Sequence, residues 1–413
     1  FTSRRCGSSR MLRDHLPCEM DKGSFHDVLR YGGVMSTEGT LLSGVTRAIS
    51  YDDSGVKASS LADALCGAVL GAIRGRSRVG CMISGGIDSS LVLAALRKVT
   101  DGPIDAFTVA FPGGDGELQK ASTVARSLGA NHHVVPFDIP DILRRAEGWA
   151  RVSPYGRFPY MAVLEEASKK GIEVLFSGEG GDEAFAGYAQ RYSRMLKYKR
   201  FRSGRWLASP LAFLPGRYGR YMAILAHTGT FADFYAWWQS RIWIPARNEA
   251  LEKWNGSDWM KAMMGFERTV RLVDYLSHLQ CYSVASRIPL EFPLLDRAVE
   301  SFSTPDNWRL MWDGSTMYGK YPLVEALKSM APSEVVEIAT RPKHGFSPPP
   351  MDLWWKEGLS KLHQETLASP LVELLPKELK DLEAGASRSK AMLYATALDA
   401  WCVGKFLEGS QGG

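Results

Sequence analysis

A chain of 413 residues, 45% of them hydrophobic and 23% charged, can bury a sizeable core and divide into two or three domain-sized units. A net charge of +5 is small for that length, and the basic runs at 4–5, 194–205 and 217–220 are too short for a nucleic-acid stripe. No apolar run approaches the roughly 18 residues of a membrane span, and six scattered cysteines without a CxxC pair fit a reducing, cytoplasmic compartment better than a disulfide scaffold.

Residues 1–23 show neither helical nor strand periodicity, and the first patterned segment is Phe25–Ile49. An acidic, small-residue link at Tyr51–Gly55 leads to Leu61–Ile73, which reads as a core helix, and then to an apolar strand at Val79–Ile83. Alternation follows. Helices are expected at Leu91–Val99, Leu118–Leu128 and Pro159–Lys170, and strands at Ile104–Phe111, His132–Phe137 and Gly171–Phe176. Strands separated by helices of this length predict an α/β fold with a doubly wound parallel sheet and right-handed crossovers. Ligands of such sheets bind beyond the carboxyl ends of the strands.

The stretch Val79–Ser90, VGCMISGGIDSS, stands at one such end. Gly85 and Gly86 allow the turn a positive φ and a close backbone approach to a ligand. The hydroxyls of Ser84, Ser89 and Ser90 lie beside the unpaired N–H groups of a helix start, a combination that favours phosphate or pyrophosphate. Asp88 beside phosphates calls for a cation, and Mg²⁺ is the usual one. A plain Gly-rich turn is the bland alternative, and the strand, SGGxDS and helix unit together outweigh it.

A second strand end carries Ser177–Tyr188, SGEGGDEAFAGY, with Glu179, Asp182 and Glu183 among four glycines. Asp182 is placed to share Mg²⁺ with Asp88, and Glu179 is a candidate general base or amine-positioning group. Residues 190–285 read as helical and aromatic-rich, more simply as core packing than as base stacking. Thr316–Met330 reads as an amphipathic helix with Lys320 near its start. In Ala339–Pro350, ATRPKHGFSPPP, Lys343 sits on a constrained loop. There its ammonium can neutralise charge on phosphate, although an exposed loop lysine is the commoner outcome. His344 beside it takes no role.

SGGIDSS resembles the pyrophosphate loop of the N-type ATP pyrophosphatases. With SGEGGDEAFAGY and RPKHGF in the same order, it resembles the synthetase domain of the glutamine-dependent asparagine synthetase family. Asn131–Val135, Phe292–Glu300 and Gly319–Leu327 add to the likeness, which runs from about Leu42 to the C-terminus.

The resemblance implies ATP and Mg²⁺ as cofactors and activation of a small-molecule carboxylate, aspartate first, as an acyl-adenylate. Ammonia or another amine donor then displaces AMP. It implies that Ser84 to Ser89 form the pyrophosphate loop, that Asp88 and Asp182 hold Mg²⁺, and that Met82, Val109, Ser177 and Gly178 line the adenosine pocket. It assigns Glu179 to the adenylate and the incoming ammonia, and Lys343 to the α-phosphate, reversing the local reading of that lysine.

The complete family enzyme begins with a glutaminase domain whose nucleophile is an N-terminal cysteine, and here the first residue is Phe1. The expected division is therefore residues 1–50 as the end of a glutaminase-like domain and 51–413 as the synthetase-like domain. The latter has a core at about 58–190 and a helical extension over 191–413. Such a chain is expected not to hydrolyse glutamine, and to use free ammonia, ammonia from a separate glutaminase subunit, or a substrate amine. Neither nucleic acid nor membrane is an expected partner, and a homodimer is an open option. β-Lactam and lasso-peptide macrolactam synthetases, in which a substrate amine forms the amide, are the alternative. In the β-lactam branch a tyrosine of a dyad deprotonates that amine. An inactive relic that binds a partner is a third reading.

Overall fold

The computed structural model describes residues 19–36, 38–43, 58–111, 115–201, 229–240, 249–256, 258–303, 305–314, 319–341, 351–382 and 390–408, with 210, 222 and 226. Lys343 and His344 lie outside the described residues.

Five strands form one parallel sheet: β1 (Val79–Met82), β2 (Ile104–Ala110), β3 (Asn131–Pro136), β4 (Val174–Phe176) and β5 (Leu290–Glu291). Their spatial order is β3-β2-β1-β4-β5. β1 pairs with β2 on one side, Val79 opposite Ile104, and with β4 on the other, Val79 opposite Val174. The chain moves outward one way through β2 and β3, then returns to the other side of β1. The boundary between β1 and β4 is thus the point where strand order reverses, and a crevice opens there.

Successive strand side chains face opposite sides of the sheet, and the two sides are both apolar. Cys81, Ala106 and Phe176 join one buried cluster with the helices Leu61–Ile73, Ile87–Val99 and Tyr321–Met330. Phe107, Val109, Leu175 and Leu290 join the other with Ile139–Ala150, Phe158–Lys169, Leu272–Ser286 and Ala391–Glu408. Phe25, Val28 and Leu29 of the helix Lys22–Tyr31 are buried in that second cluster. The doubly wound parallel sheet with a largely helical C-terminal part is the expected class. Among the described residues no helix is long and apolar enough to cross a membrane.

Differences of detail have local causes. The helix expected from Leu91 begins at Ile87, because Gly86 is its N-cap and Asp88 then sits in a first turn that favours an acid. The strand expected from Gly171 is confined to Val174–Phe176. Gly171, at φ +70°, closes the preceding helix, with the Ile172 N–H donating to the Ala167 carbonyl at 3.0 Å. The pattern left 138–158 and the fifth strand unassigned. Asp138 caps Ile139–Ala150 by accepting the Asp141 N–H at 3.1 Å, and Leu290–Glu291 is a strand only because β4 offers it an edge.

Candidate functional site

The loops after β1 and β4 meet at the strand-order reversal and line a cavity of about 980 Å³, a volume suited to a small-molecule ligand. Met82, Ser84, Gly85, Gly86, Asp88, Ser89, Val109, Ser177, Gly178, Glu179 and Asp182 all line it. Every candidate residue except Lys343, which is not described, is therefore brought to one place.

The first loop is held by its own hydroxyls. The Ser84 N–H donates to Ser89 Oγ at 3.2 Å, and Ser89 Oγ donates to the Gly86 carbonyl at 3.3 Å. Gly85 takes φ +72°, so the sharp turn expected there is present. The second loop closes on the first. A Cβ on Gly178 would stand 2.8 Å from the Ser89 nitrogen, so only glycine lets the β4 loop lie against the helix start. Beyond Met82 and Val109 the wall is aromatic: the Phe111 and Phe137 rings pack edge to face at 5.0 Å, and Phe137 lies 5.6 Å from Trp354. A polar loop leading into a helix N-terminus at one end and an aromatic slot at the other match a phosphorylated aromatic ligand.

Asp88 and Asp182 converge on a single cation, and that cation is Lys320. Its Nζ lies 2.5 Å from Asp88 Oδ2 and 2.6 Å from Asp182 Oδ1. Burial works against this ammonium, but Asp182 and Asp88 more than offset it and hold its pKa above the ordinary lysine value. The chain is bent to put it there. Lys320 has φ +65° and Ala186 φ +55°, conformations that cost non-glycine residues roughly 1–2 kcal/mol each. The Lys320 N–H donates to the Phe185 carbonyl at 3.1 Å, and Gly319 passes so close to the Ala186 carbonyl that no side chain fits.

Two carboxylate donors at one cation position fit Mg²⁺, which is held by one or two carboxylates together with substrate phosphates. Among the described residues no group of three or more His, Cys, Asp or Glu side chains gathers for a metal, so a divalent cation here would need oxygens from the ligand.

Glu179 accepts a short hydrogen bond from the Tyr160 hydroxyl. Burial, with Glu179 beside it, raises the Tyr160 phenol well above its usual range, so the phenol donates and the carboxylate accepts. Tyr275 lies edge-on to Tyr160 at 6.1 Å, and burial and Glu179 raise it too. Glu183 accepts the Tyr188 hydroxyl at 2.5 Å; burial, with Asp182 next to it, pushes its carboxyl up to about 8.

Tyr160, Tyr275 and Arg157 are site residues that the motif reading does not single out, and Lys320 is one that it notes at a helix start without a role. Only Lys320 has a local signal, a lysine between Gly319 and a Tyr-Pro helix start. Arg157 and Tyr275 are brought to the cavity from segments more than a hundred residues apart in the chain.

Residues 60–404 match the family model described as Asparagine synthase. Over 117 residues the chain is 34% identical to "Putative asparagine synthetase [glutamine-hydrolyzing] 2" of Methanocaldococcus jannaschii, covering 27% of this chain and 22% of that protein. It is 30% identical over 129 residues to "Asparagine synthetase B [glutamine-hydrolyzing]" of Escherichia coli, 26% of this chain and 23% of the relative. To "Asparagine synthetase [glutamine-hydrolyzing]" of Gallus gallus it is 32% identical over 124 residues, 27% of this chain and 22% of the relative. The matched stretch thus spans less than a quarter of each of these curated relatives. With a family model spanning residues 60–404 and both loops of the site inside it, the chain belongs to the asparagine synthase family.

Proposed function

We propose that the chain is an ATP-dependent, amide-forming synthetase. It activates a carboxylate, aspartate first among candidates, as an acyl-adenylate with release of pyrophosphate, and passes ammonia to the acyl group to give the amide and AMP. The observation that carries this reading is the convergence of Ser84–Ser89 and Ser177–Asp182 around one cation position in a single cavity.

In this reading the Ser84 and Ser89 hydroxyls and the loop amides bind the β- and γ-phosphates, and Met82, Val109, Ser177 and Gly178 hold the adenosine. Asp88 and Asp182 would hold Mg²⁺, which when bound neutralises phosphate charge. A carboxylate oxygen forms a bond to the α-phosphorus as the bond to pyrophosphate breaks. Lys320, beside Asp88 and Asp182, and Lys343, by family likeness, add positive charge at the phosphates. Glu179, oriented by Tyr160, takes a proton from the incoming nitrogen as it attacks the acyl carbon and the C–O bond to AMP breaks. The nitrogen is free ammonia or ammonia from a separate glutaminase subunit.

The Tyr160–Glu179 hydrogen bond favours one second reading. A tyrosine–carboxylate pair at the acyl end also suits removal of a proton from a substrate amine, as in lactam formation.

The test is pyrophosphate release from MgATP with aspartate, comparing ammonium with glutamine. Release with ammonium and formation of asparagine support the synthetase. Release without added nitrogen, from a substrate bearing its own amine, favours the second reading. Absence of ATP binding defeats both.

A further inference from the structure

A third element flanks the phosphate loop: the helix Asp115–Ser127, which lies between β2 and β3 in the chain. It meets the loop at its sharpest turn. A Cβ on Gly85 would stand 2.7 Å from Lys120 Cβ and 2.9 Å from the Ala121 nitrogen, so helix and turn pack with no room for a side chain. Ala121, Val124 and Ala125 are buried in the cluster that also holds the loop's own helix, Ile87–Val99, so apolar packing sets the position of this wall.

Lys120 therefore leaves the backbone beside the loop, and its side chain lines the cavity together with that of Glu117, one turn earlier. Lys120 Nζ lies 3.2 Å from Glu117 Oε1. A Glu–Lys pair at this spacing is commonly a solvated surface contact of little consequence. Glu325–Lys328 is one, with side chains 69% and 53% exposed. Glu117 and Lys120 are only 25% and 21% exposed, and they line the crevice.

Position decides what this ammonium can do. Asp88 and Ser89 form the end of the loop that packs on Gly178 and meets Lys320, whereas Gly85 forms the end that packs on Lys120. A carboxylate on the Glu179 side must reach the α-phosphorus, which leaves the terminal phosphate for the Gly85 end. Lysine is a compact charge on a flexible stem, suited to a phosphate that arrives and departs. Glu117 holds that charge between turnovers.

We infer that Lys120 binds the terminal phosphate of the nucleotide, passing from Glu117 to that phosphate as ATP enters and back to Glu117 as pyrophosphate leaves. The inference rests on the ATP-dependent reading above. It adds the group that selects a triphosphate over a diphosphate and sets how tightly the leaving pyrophosphate is held.

The experiment is calorimetric binding of ATP, ADP, AMP and pyrophosphate, each with Mg²⁺, to the full chain. The wild type binds ATP about 10-fold or more tighter than ADP, the scale of one hydrogen bond to a charged group. Lys120→Met removes most of that preference and weakens pyrophosphate by a similar factor, with ADP and AMP affinities unchanged. Lys120→Arg keeps the preference. Glu117→Gln removes the competing carboxylate, so ATP and pyrophosphate bind more tightly while AMP does not. A wild type that does not distinguish ATP from ADP overturns the inference whether or not a variant folds. So does a Lys120→Met protein with an unaltered ATP-to-ADP ratio, or one that loses ATP, ADP and AMP equally, which would place Lys120 at the nucleoside. Unchanged pyrophosphate affinity in Glu117→Gln overturns the exchange between carboxylate and phosphate. All of those results leave ATP-dependent activation standing. A wild type that binds no ATP overturns that reading, and this inference with it.

Discussion

Lys320 Nζ lies 2.6 Å from Asp182 Oδ1, so a residue from the last quarter of the chain occupies the point on which Asp88 and Asp182 converge. Asp88 reaches the same ammonium at 2.5 Å. One ammonium offsets half of the charge of the two aspartates, and in the proposed reading a divalent cation entering between them would shift the ammonium from this contact toward the phosphates.

Lys320→Met leaves two half-buried carboxylates facing each other. Breaking a fully buried ion pair from one side costs about 3–5 kcal/mol, an upper bound for carboxylates that keep contact with solvent. The variant should therefore melt well below the wild type in chelator, and millimolar Mg²⁺ without nucleotide should restore much of the loss. Mg²⁺ alone should scarcely move the wild-type melting temperature. Thermal unfolding with and without Mg²⁺ reads both effects, and a variant insensitive to Mg²⁺ would remove the aspartates from metal binding.

Asp182→Asn takes away one of the two proposed metal ligands and half of the negative charge around Lys320. Mn²⁺ binding in the presence of ATP, followed by electron paramagnetic resonance, should weaken and turnover should fall. Unchanged Mn²⁺ affinity would mean that Asp88 suffices.

Gly319→Ala tests how Lys320 is placed. The added methyl collides with the Ala186 carbonyl, which forces apart the two segments that hold the ammonium between the aspartates. Loss of stability on the order of 1–3 kcal/mol is expected, the scale for overpacking, together with lower pyrophosphate release. Denaturant unfolding and the release assay give the two numbers.

Tyr160→Phe deletes the donor to Glu179 and leaves the ring packing on Tyr275. The second half-reaction should slow by roughly 10-fold, the scale of one hydrogen bond to a charged group, while adenylate formation, measured by exchange, holds. An equal fall in both would place Tyr160 in substrate binding rather than in orienting Glu179.

Asp27 supplies a pH test remote from the cavity. Burial raises its carboxyl to about 6 from 3.8, although the Met35 N–H at 3.0 Å pulls it down. A folded pKa above the unfolded one means that the native state binds the extra proton between those values, so stability falls as pH rises from about 4 to about 6. Asp27→Asn should abolish this contribution. Its advantage over the wild type should grow across that window to the order of 1–3 kcal/mol and then level off. A constant difference from pH 4 to 7 in urea unfolding would show that Asp27 ionises freely.

Much of this protein is legible in order of residues alone. The phosphate loop is local: β1, Ser84 to Ser89 and the helix from Ile87 are contiguous, and their hydrogen bonds run over a few residues. Alternating apolar strands and helices determine the doubly wound class, because a parallel strand pair requires a crossover. Even the second loop is readable, since acids among glycines after a buried strand have no packing purpose. Tertiary structure decided the rest. Leu290–Glu291 becomes a strand through β4, Lys320 meets Asp88 across 232 positions of sequence, and Arg157 meets Tyr275 through two helices packed on one sheet face. None of these pairings has a periodicity or spacing of its own. Each exists because apolar burial on both faces brings distant segments to the one edge where the strand order reverses, and charge placed there is paired only after the chain has folded.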